Sequence, residues 1–180
     1  MDGGAGVLAV KDTAALSPLL LGGRQEYGLR AGTENVPAIA AMALAAEESC
    51  GLIPRELPRI EALSDLLLTL LQEKTPCILN GAAAPRYGGI LSLRFPGMSG
   101  EELLTRLNER EICISVGAAC AAGNRSPSHA LTAMGLSAEE AKETVRISLG
   151  RETTEAQIRI LAEAILAIIH GKTNEKGDTL

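Results

Sequence analysis

Apolar and polar positions recur along this chain with two different periods, and the switches between them mark its elements. Beyond Pro58, the residues Ile60, Leu63, Leu67, Leu70 and Leu71 fall at three- and four-residue intervals, which predicts a long amphipathic helix stopping near Thr75-Pro76. Upstream, an alanine-rich run through Ile39, Met42, Ala43 and Ala46 predicts another helix, with Asn35 as N-cap and Pro37 in the first turn. Cys50-Gly51 and the Pro54 to Pro58 segment are expected to end it. Before that helix, Gly6 to Val10 reads as a short buried strand. Gly22 to Thr33, rich in glycine and charge, reads as a long exposed connection.

Downstream the period changes to two. Leu91, Leu93 and Phe95 alternate with Ser92 and Arg94, and Ile112, Ile114 and Val116 alternate with Cys113 and Ser115, giving two half-buried strands. Val145, Ile147 and Leu149 make a third, with Arg146 and Ser148 on the opposite face. Between them, Ser99 with Glu102 and Ser137 with Glu140 are capping-box pairs, and Ser126-Pro127 opens a short helix. Thr154 with Gln157 caps a final helix whose face is Ile158, Leu161, Ile165, Ile168 and Ile169, and the tail from Gly171 is expected to fray. The class is α/β, with a small sheet covered by helices. The expected organisation is a first region over residues 1–50, a compact domain over 51–172 and a frayed tail over 173–180.

Composition narrows the function. The 180 residues are 46% apolar with only two Tyr and one Phe, so Leu, Ile, Val and Ala must fill the core and no aromatic platform for nucleic acid exists. A formal charge of -5 without a basic block argues against a phosphate-backbone partner. No basic leader precedes an apolar segment, and no uninterrupted apolar run reaches the ~20 residues of a membrane span, so a cytoplasmic protein without a membrane partner is expected. Cys50, Cys77, Cys113 and Cys120 form no CxxC pair, which suggests neither a metal site nor a dithiol motif.

Three segments offer chemistry. Ser115 to Gly123 sets Cys120 among residues too small to bury it, with Arg125 and His129 as the nearby cations that favour a thiolate. An isolated cysteine in such a turn is more often inert, and His129 is more often a surface residue of a helix than a base. Arg146 is placed to clamp a carboxylate in a bidentate fork, although an arginine on a strand face is more commonly just solvated. The segment Glu26 to Asn35 offers N-H groups, a hydroxyl and a guanidinium just ahead of a helix N-terminus, a weak signal for a phosphate.

Taken jointly, three segments resemble the C-terminal portion of cysteine desulfurases of the NifS/IscS type, the class V aminotransferase-like enzymes that depend on pyridoxal phosphate. They are Gly22-Gly23-Arg24-Gln25-Glu26 running into Arg30-Ala31-Gly32-Thr33-Glu34-Asn35, then Val116-Gly117-Ala118-Ala119-Cys120 through Pro127-Ser128-His129, then Val145-Arg146-Ile147-Ser148-Leu149-Gly150-Arg151. The resemblance implies that Cys120 is the nucleophile taking sulfur from L-cysteine as a persulfide and leaving L-alanine, as in iron-sulfur cluster assembly. It implies that Arg146 binds the substrate carboxylate and that Thr33 reaches the cofactor phosphate of the other subunit in a homodimer. It implies the small C-terminal domain of a fold-type I enzyme, preceded by the end of the large cofactor domain, and a sulfur acceptor or scaffold protein as partner.

Two departures from that family stand out. The family's cofactor lysine sits in a Ser-His-Lys segment ahead of the strand matched by Gly6 to Val10, and no Ser-His-Lys occurs here; its pyridine-nitrogen aspartate and ring-stacking histidine lie further upstream still. Nothing in the sequence assigns that role to Lys11, Lys74, Lys142, Lys172 or Lys176, so the expectation is a truncated desulfurase that binds no cofactor and is inactive alone. Arg24 also interrupts a run that is more often all glycine in the family. The alternatives are a cofactor-free sulfur-carrier or partner-binding module, and a structural fragment whose uncovered surface drives self-association.

Overall fold

The computed structural model describes residues 4–12, 16–116 and 128–177, with side chains described as far as residue 171. The chain divides into two compact units, residues 1–53 and 54–180.

The second unit is built on a four-stranded antiparallel sheet. Its strands are β1 (Ile78–Leu79), β2 (Ile90–Arg94), β3 (Ser115–Val116) and β4 (Thr144–Ser148), in spatial order β1-β2-β4-β3. Alternation sorts the faces as expected: Leu91, Leu93, Phe95, Val145, Ile147 and Leu149 are all buried. They share one core with Ile60, Leu63, Leu67 and Leu71 of helix α1 (Val36–Gln72) and Leu103 and Leu107 of α2 (Gly100–Asn108). Ile158, Leu161, Ile165 and Ile168 of α5 (Glu155–Gly177) complete it. Two short helices, α3 (His129–Ala133) and α4 (Ala138–Lys142), precede β4.

The caps are where the sequence puts them. Ser99 Oγ accepts from Glu102 N at 3.4 Å, and Ser137 with Glu140 forms a complete capping box. Thr154 N donates to Gln157 Oε1 at 2.9 Å while Gln157 N donates to Thr154 Oγ1 at 3.3 Å. Asn35 Oδ1 accepts from Ala38 N at 3.3 Å, so α1 also starts as expected.

Four expectations need correction. The two helices expected on either side of Pro54–Pro58 are one helix, with both prolines inside it. Each proline deletes one i to i-4 hydrogen bond, but long stretches of good helix formers flank the site, and Arg59, one residue past Pro58, ties α1 to the rest of its unit. The Arg59 guanidinium donates to the carbonyls of Thr153 (2.7 Å), Arg151 (2.7 Å) and Gly150 (3.3 Å) and pairs with Glu56. Second, Gly6 to Val10 is not a strand: among the described residues no other segment pairs with it, and Val7 and Leu8 are exposed. Third, the strand expected from Ile112 is confined to Ser115–Val116. Glu111 turns at φ 60°, and Ile112 N bonds back to Leu107 O at 3.0 Å, which holds Ile112 against the core as part of the α2 exit. Fourth, the tail expected to fray after Gly171 continues as helix to Gly177, because extending a nucleated helix is far cheaper than starting one.

The first unit contains a 3-10 turn at Glu26–Gly28 and the opening turns of α1. None of its described residues is buried. An 18-residue window of α1 has a mean hydropathy of 1.5, long and apolar enough by composition to cross a bilayer, where the bare sequence suggested no such run.

Candidate functional site

The face of the sheet away from the core is polar. Ser92, Arg146 and Ser115 stand side by side across β2, β4 and β3, since Ser92 and Ser115 are both register partners of Arg146. Arg146 is half-buried, and its Nη2 donates to Ser115 Oγ at 3.3 Å; among the described residues this is its one hydrogen-bond partner. The rest of the guanidinium fork has no partner among the described residues, and a planar carboxylate matches such a fork in a bidentate geometry.

The neighbours of Arg146 are held by other contacts. Asn80 Nδ2 donates to Ser92 Oγ at 3.2 Å and Thr144 Oγ1 at 3.4 Å, and Thr144 Oγ1 donates to Glu140 O at 2.8 Å. Arg94, further along the same face, is ion-paired to Glu140. Glu140 also accepts from Ser137 N at 2.8 Å, and the Ser137 hydrogen bonds, backbone first, together with Arg94 hold its carboxyl below the usual range. So one arginine of this face is neutralised by a carboxylate, and the other has no ion-pair partner among the described residues. At the far end of β4, the Arg59 fork holds the carbonyls of Gly150, Arg151 and Thr153, and Leu149 N donates to Gly89 O at 2.7 Å.

The register also relates Arg146 to the cysteine segment. Val116, paired with Val145, is the last residue of β3, and the segment leading to Cys120 follows it directly in sequence. Gly100 packs against this foot of the sheet, where a Cβ would lie 2.9 Å from Thr144 O and 3.2 Å from Val116 Cγ1. Cys120 itself and Arg125 lie outside the described residues. His129, the first residue of α3, is exposed.

The other thiols are differently placed. Cys77 is buried in the core, and desolvation pushes its thiol up to about 11, which leaves it protonated and unreactive. Cys50 and Cys113 are exposed, the former on α1 and the latter just before β3.

In the first unit, Thr33 is exposed and its hydroxyl has no hydrogen-bond partner among the described residues. The glycine-rich segment around it folds on itself: Gly32 N donates to Gln25 Oε1 at 3.3 Å, and Arg30 Nη1 donates to Ala31 O at 2.7 Å. Gly28 and Gly32 take φ values of 82° and 108°, which a side chain would resist. This segment is thus more shaped than a plain connector. The sequence did not flag Asn80, Ser115 or Arg59 as supports of the arginine strand; the row of Ser92, Arg146 and Ser115 across three strands becomes visible only once the register is known.

The structure is a helix-covered antiparallel sheet of α/β type, whose polar face carries an arginine without an ion-pair partner among the described residues, beside the root of a cysteine segment. The aminotransferase class-V family model matches residues 3–161, and the chain belongs to that family. It is 41% identical over 92% of its length to a protein named cysteine desulfurase from Trichormus azollae, and 36% identical over 92% to cysteine desulfurase IscS 1 from Archaeoglobus fulgidus. It covers 42% and 44% of those two proteins. The solved structure of a NifS-like protein from Rickettsia africae superimposes with a TM-score of 0.75 at 30% identity, over 86% of this chain and 40% of that one. The chain therefore spans less than half the length of the relatives it matches, and the α/β fold expected from the sequence is that of a NifS-like protein.

Proposed function

We propose that this chain is the part of a cysteine desulfurase that supplies the sulfur-accepting thiol, Cys120, and the substrate-carboxylate arginine, Arg146. The observation that carries the reading is the open guanidinium of Arg146, hydrogen-bonded through Ser115 to the strand that leads into the Cys120 segment. In this reading the fork of Arg146 fixes L-cysteine by its carboxylate, and the sulfur atom of the substrate passes to the Cys120 thiol. The balance is simple: the substrate C-S bond breaks, an S-S bond forms, and the two thiol protons end on the persulfide and on the methyl group of L-alanine. A thiol among small residues suits a carrier that must next meet an acceptor protein, with iron-sulfur cluster assembly as the proposed destination.

The reading implies pyridoxal phosphate, and the described lysines do not fit its covalent anchor. Lys11 and Lys74 are exposed. Lys142 is held by Glu139, whose hydrogen bond raises its pKa, the opposite of the lowered value a nucleophilic amine needs. The cofactor belongs, in this reading, to a lysine-bearing remainder of the enzyme, with Thr33 reaching its phosphate across a homodimer and residues 1–50 forming the end of the cofactor domain. The same remainder covers the apolar surface of the first unit. A bilayer is a poorer cover for it, because Glu47 and Glu48 lie within the apolar stretch of α1 and carboxylates are expensive in hydrocarbon. The setting proposed is cytoplasmic.

The test is mass spectrometry after incubation with L-cysteine and pyridoxal phosphate, with the chain alone and combined with the lysine-bearing portion of a relative. The expected result is a gain of about 32 Da on Cys120 with release of L-alanine only in the combined sample, lost in Cys120→Ser and strongly reduced in Arg146→Ala. A persulfide on Cys120 that forms without L-alanine release would favour a sulfur-carrier module instead, and unaltered turnover in Arg146→Ala would overturn the role given to that residue.

A further inference from the structure

Three side chains of the sheet's polar face stand in one row: Ser92 of β2, Arg146 of β4 and Ser115 of β3, with Arg146 the register partner of both serines. What this row offers a ligand depends on where the two hydroxyl protons point. The surrounding hydrogen bonds decide that, because some of their partners can only accept and others can only donate.

The deduction starts at the carbonyl of Glu140, a pure acceptor. Thr144 Oγ1 lies 2.8 Å from it, so the Thr144 proton is spent there. Asn80 reaches Thr144 Oγ1 at 3.4 Å, and since that oxygen has no proton left to give, Asn80 turns its NH2 group toward it. The same NH2 group lies 3.2 Å from Ser92 Oγ, which therefore accepts. Ser115 Oγ accepts too, from Arg146 Nη2 at 3.3 Å, because a guanidinium has no lone pair to offer in return. Each serine thus keeps its proton, and neither proton has an acceptor among the described residues. Two hydroxyl donors flank a guanidinium that has no ion-pair partner among the described residues, whereas Arg94 on the same face is paired with Glu140.

We propose that Ser92 and Ser115 bind the same carboxylate as Arg146, each through its hydroxyl proton, and that Asn80 positions the Ser92 hydroxyl. The inference rests on the carboxylate role given to Arg146 above and adds a selectivity to it. An ionised carboxylate accepts about four hydrogen bonds, so the fork and both hydroxyls fit on one group. The isosteric amide brings an NH2 end into a row of donors and is rejected.

Titration of the full 180-residue chain with propionate, followed by amide and arginine side-chain NMR, tests it, with propionamide as the neutral isostere. Neither probe carries an amine or a thiol, so binding is read without the cofactor chemistry. Expected are saturable shifts at residues 92, 115 and 146, no saturable shift with propionamide, and loss of propionate binding in Arg146→Gln. Ser92→Ala and Ser115→Ala are each expected to weaken binding about tenfold, the loss of one hydrogen bond to a charged group. Ser92→Thr and Ser115→Thr keep the hydroxyl in strands that favour threonine and are expected to stay within about threefold of wild type. Asn80→Ala is expected to weaken binding about threefold, because the Ser92 hydroxyl is then free to turn. Binding that is lost in Arg146→Gln yet unchanged in both alanine variants, or threonine variants as weak as the alanine ones, overturns the inference and leaves the role of Arg146 standing. Binding unchanged in Arg146→Gln overturns both. No saturable shift in wild type overturns the inference as well, while sulfur transfer to Cys120 is still decided by mass spectrometry.

Discussion

The two units of this chain follow the same helix and turn chemistry but differ in what they bury. In residues 54–180 the long helices and the sheet share one core, from Leu67 and Leu71 through Leu91 and Phe95 to Ile165. In residues 1–53 no described residue is buried, and Val7, Leu8, Leu19, Leu21 and Leu44 stand exposed despite side chains as apolar as those in the core. The difference teaches that apolar composition marks surface to be covered, without saying by what. The second unit covers its own; the first presents an uncovered surface of the kind that marks an interaction site.

Substitutions at equivalent side chains in the two units probe that contrast most sharply. Leu67→Ala removes a fully buried side chain and is expected to lower the stability of the second unit by about 2–5 kcal/mol in denaturant unfolding. Leu19→Ser, at a residue 94% exposed, is expected to change it by less than about 0.5 kcal/mol. Equal effects would mean that the first unit has a core of its own. Gly100→Ala comes next, at about 1–3 kcal/mol, because the added Cβ meets the carbonyls of Thr144 and Lys142, which as backbone atoms have little room to yield.

Protonation gives two smaller effects with opposite signs. The Cys77 thiol rises from 9.0 to about 11 on folding, so its contribution is fully present below pH 9 and is lost as pH climbs through about 11. Wild type is expected to lose about 1–2 kcal/mol across that window relative to Cys77→Val, followed by circular dichroism against urea at each pH. The Glu140 carboxyl is lowered on folding by its Ser137 hydrogen bonds and by Arg94. Its contribution is present above the ordinary carboxylate pKa and fades as pH falls through the lowered value, so Glu140→Gln is expected to flatten the acid side of the stability profile. An unchanged acid limb in that variant would remove Glu140 from the set of groups that hold the polar face.

Much of the second unit was legible before its structure. Period-two runs fixed which faces of β2 and β4 turn inward, and Ser99, Ser137 and Thr154 marked three helix starts, because alternation and capping are local and each needs only a few neighbouring residues. Other features were hidden for reasons that are equally physical. β1 is two residues long, too short to show a period. The continuity of α1 across Pro54 and Pro58 depends on residues on both sides, with Arg59 binding carbonyls more than 90 positions away.

The candidate sites divide along the same line. Cys120, Arg146 and Thr33 were picked out by resemblance and by the chemistry of their side chains, while the sheet register alone sets Ser115 against Arg146, which unlike Arg94 meets no carboxylate among the described residues. By itself the sequence determined the class of the fold, its inward faces, its caps and its family likeness, since these rest on local period and on residue type. Tertiary structure decided which arginine finds a carboxylate, Arg94, and which thiol is silenced by burial, Cys77. Those outcomes depend on distances between residues far apart in the chain, and pairing and desolvation exist only after the chain has folded.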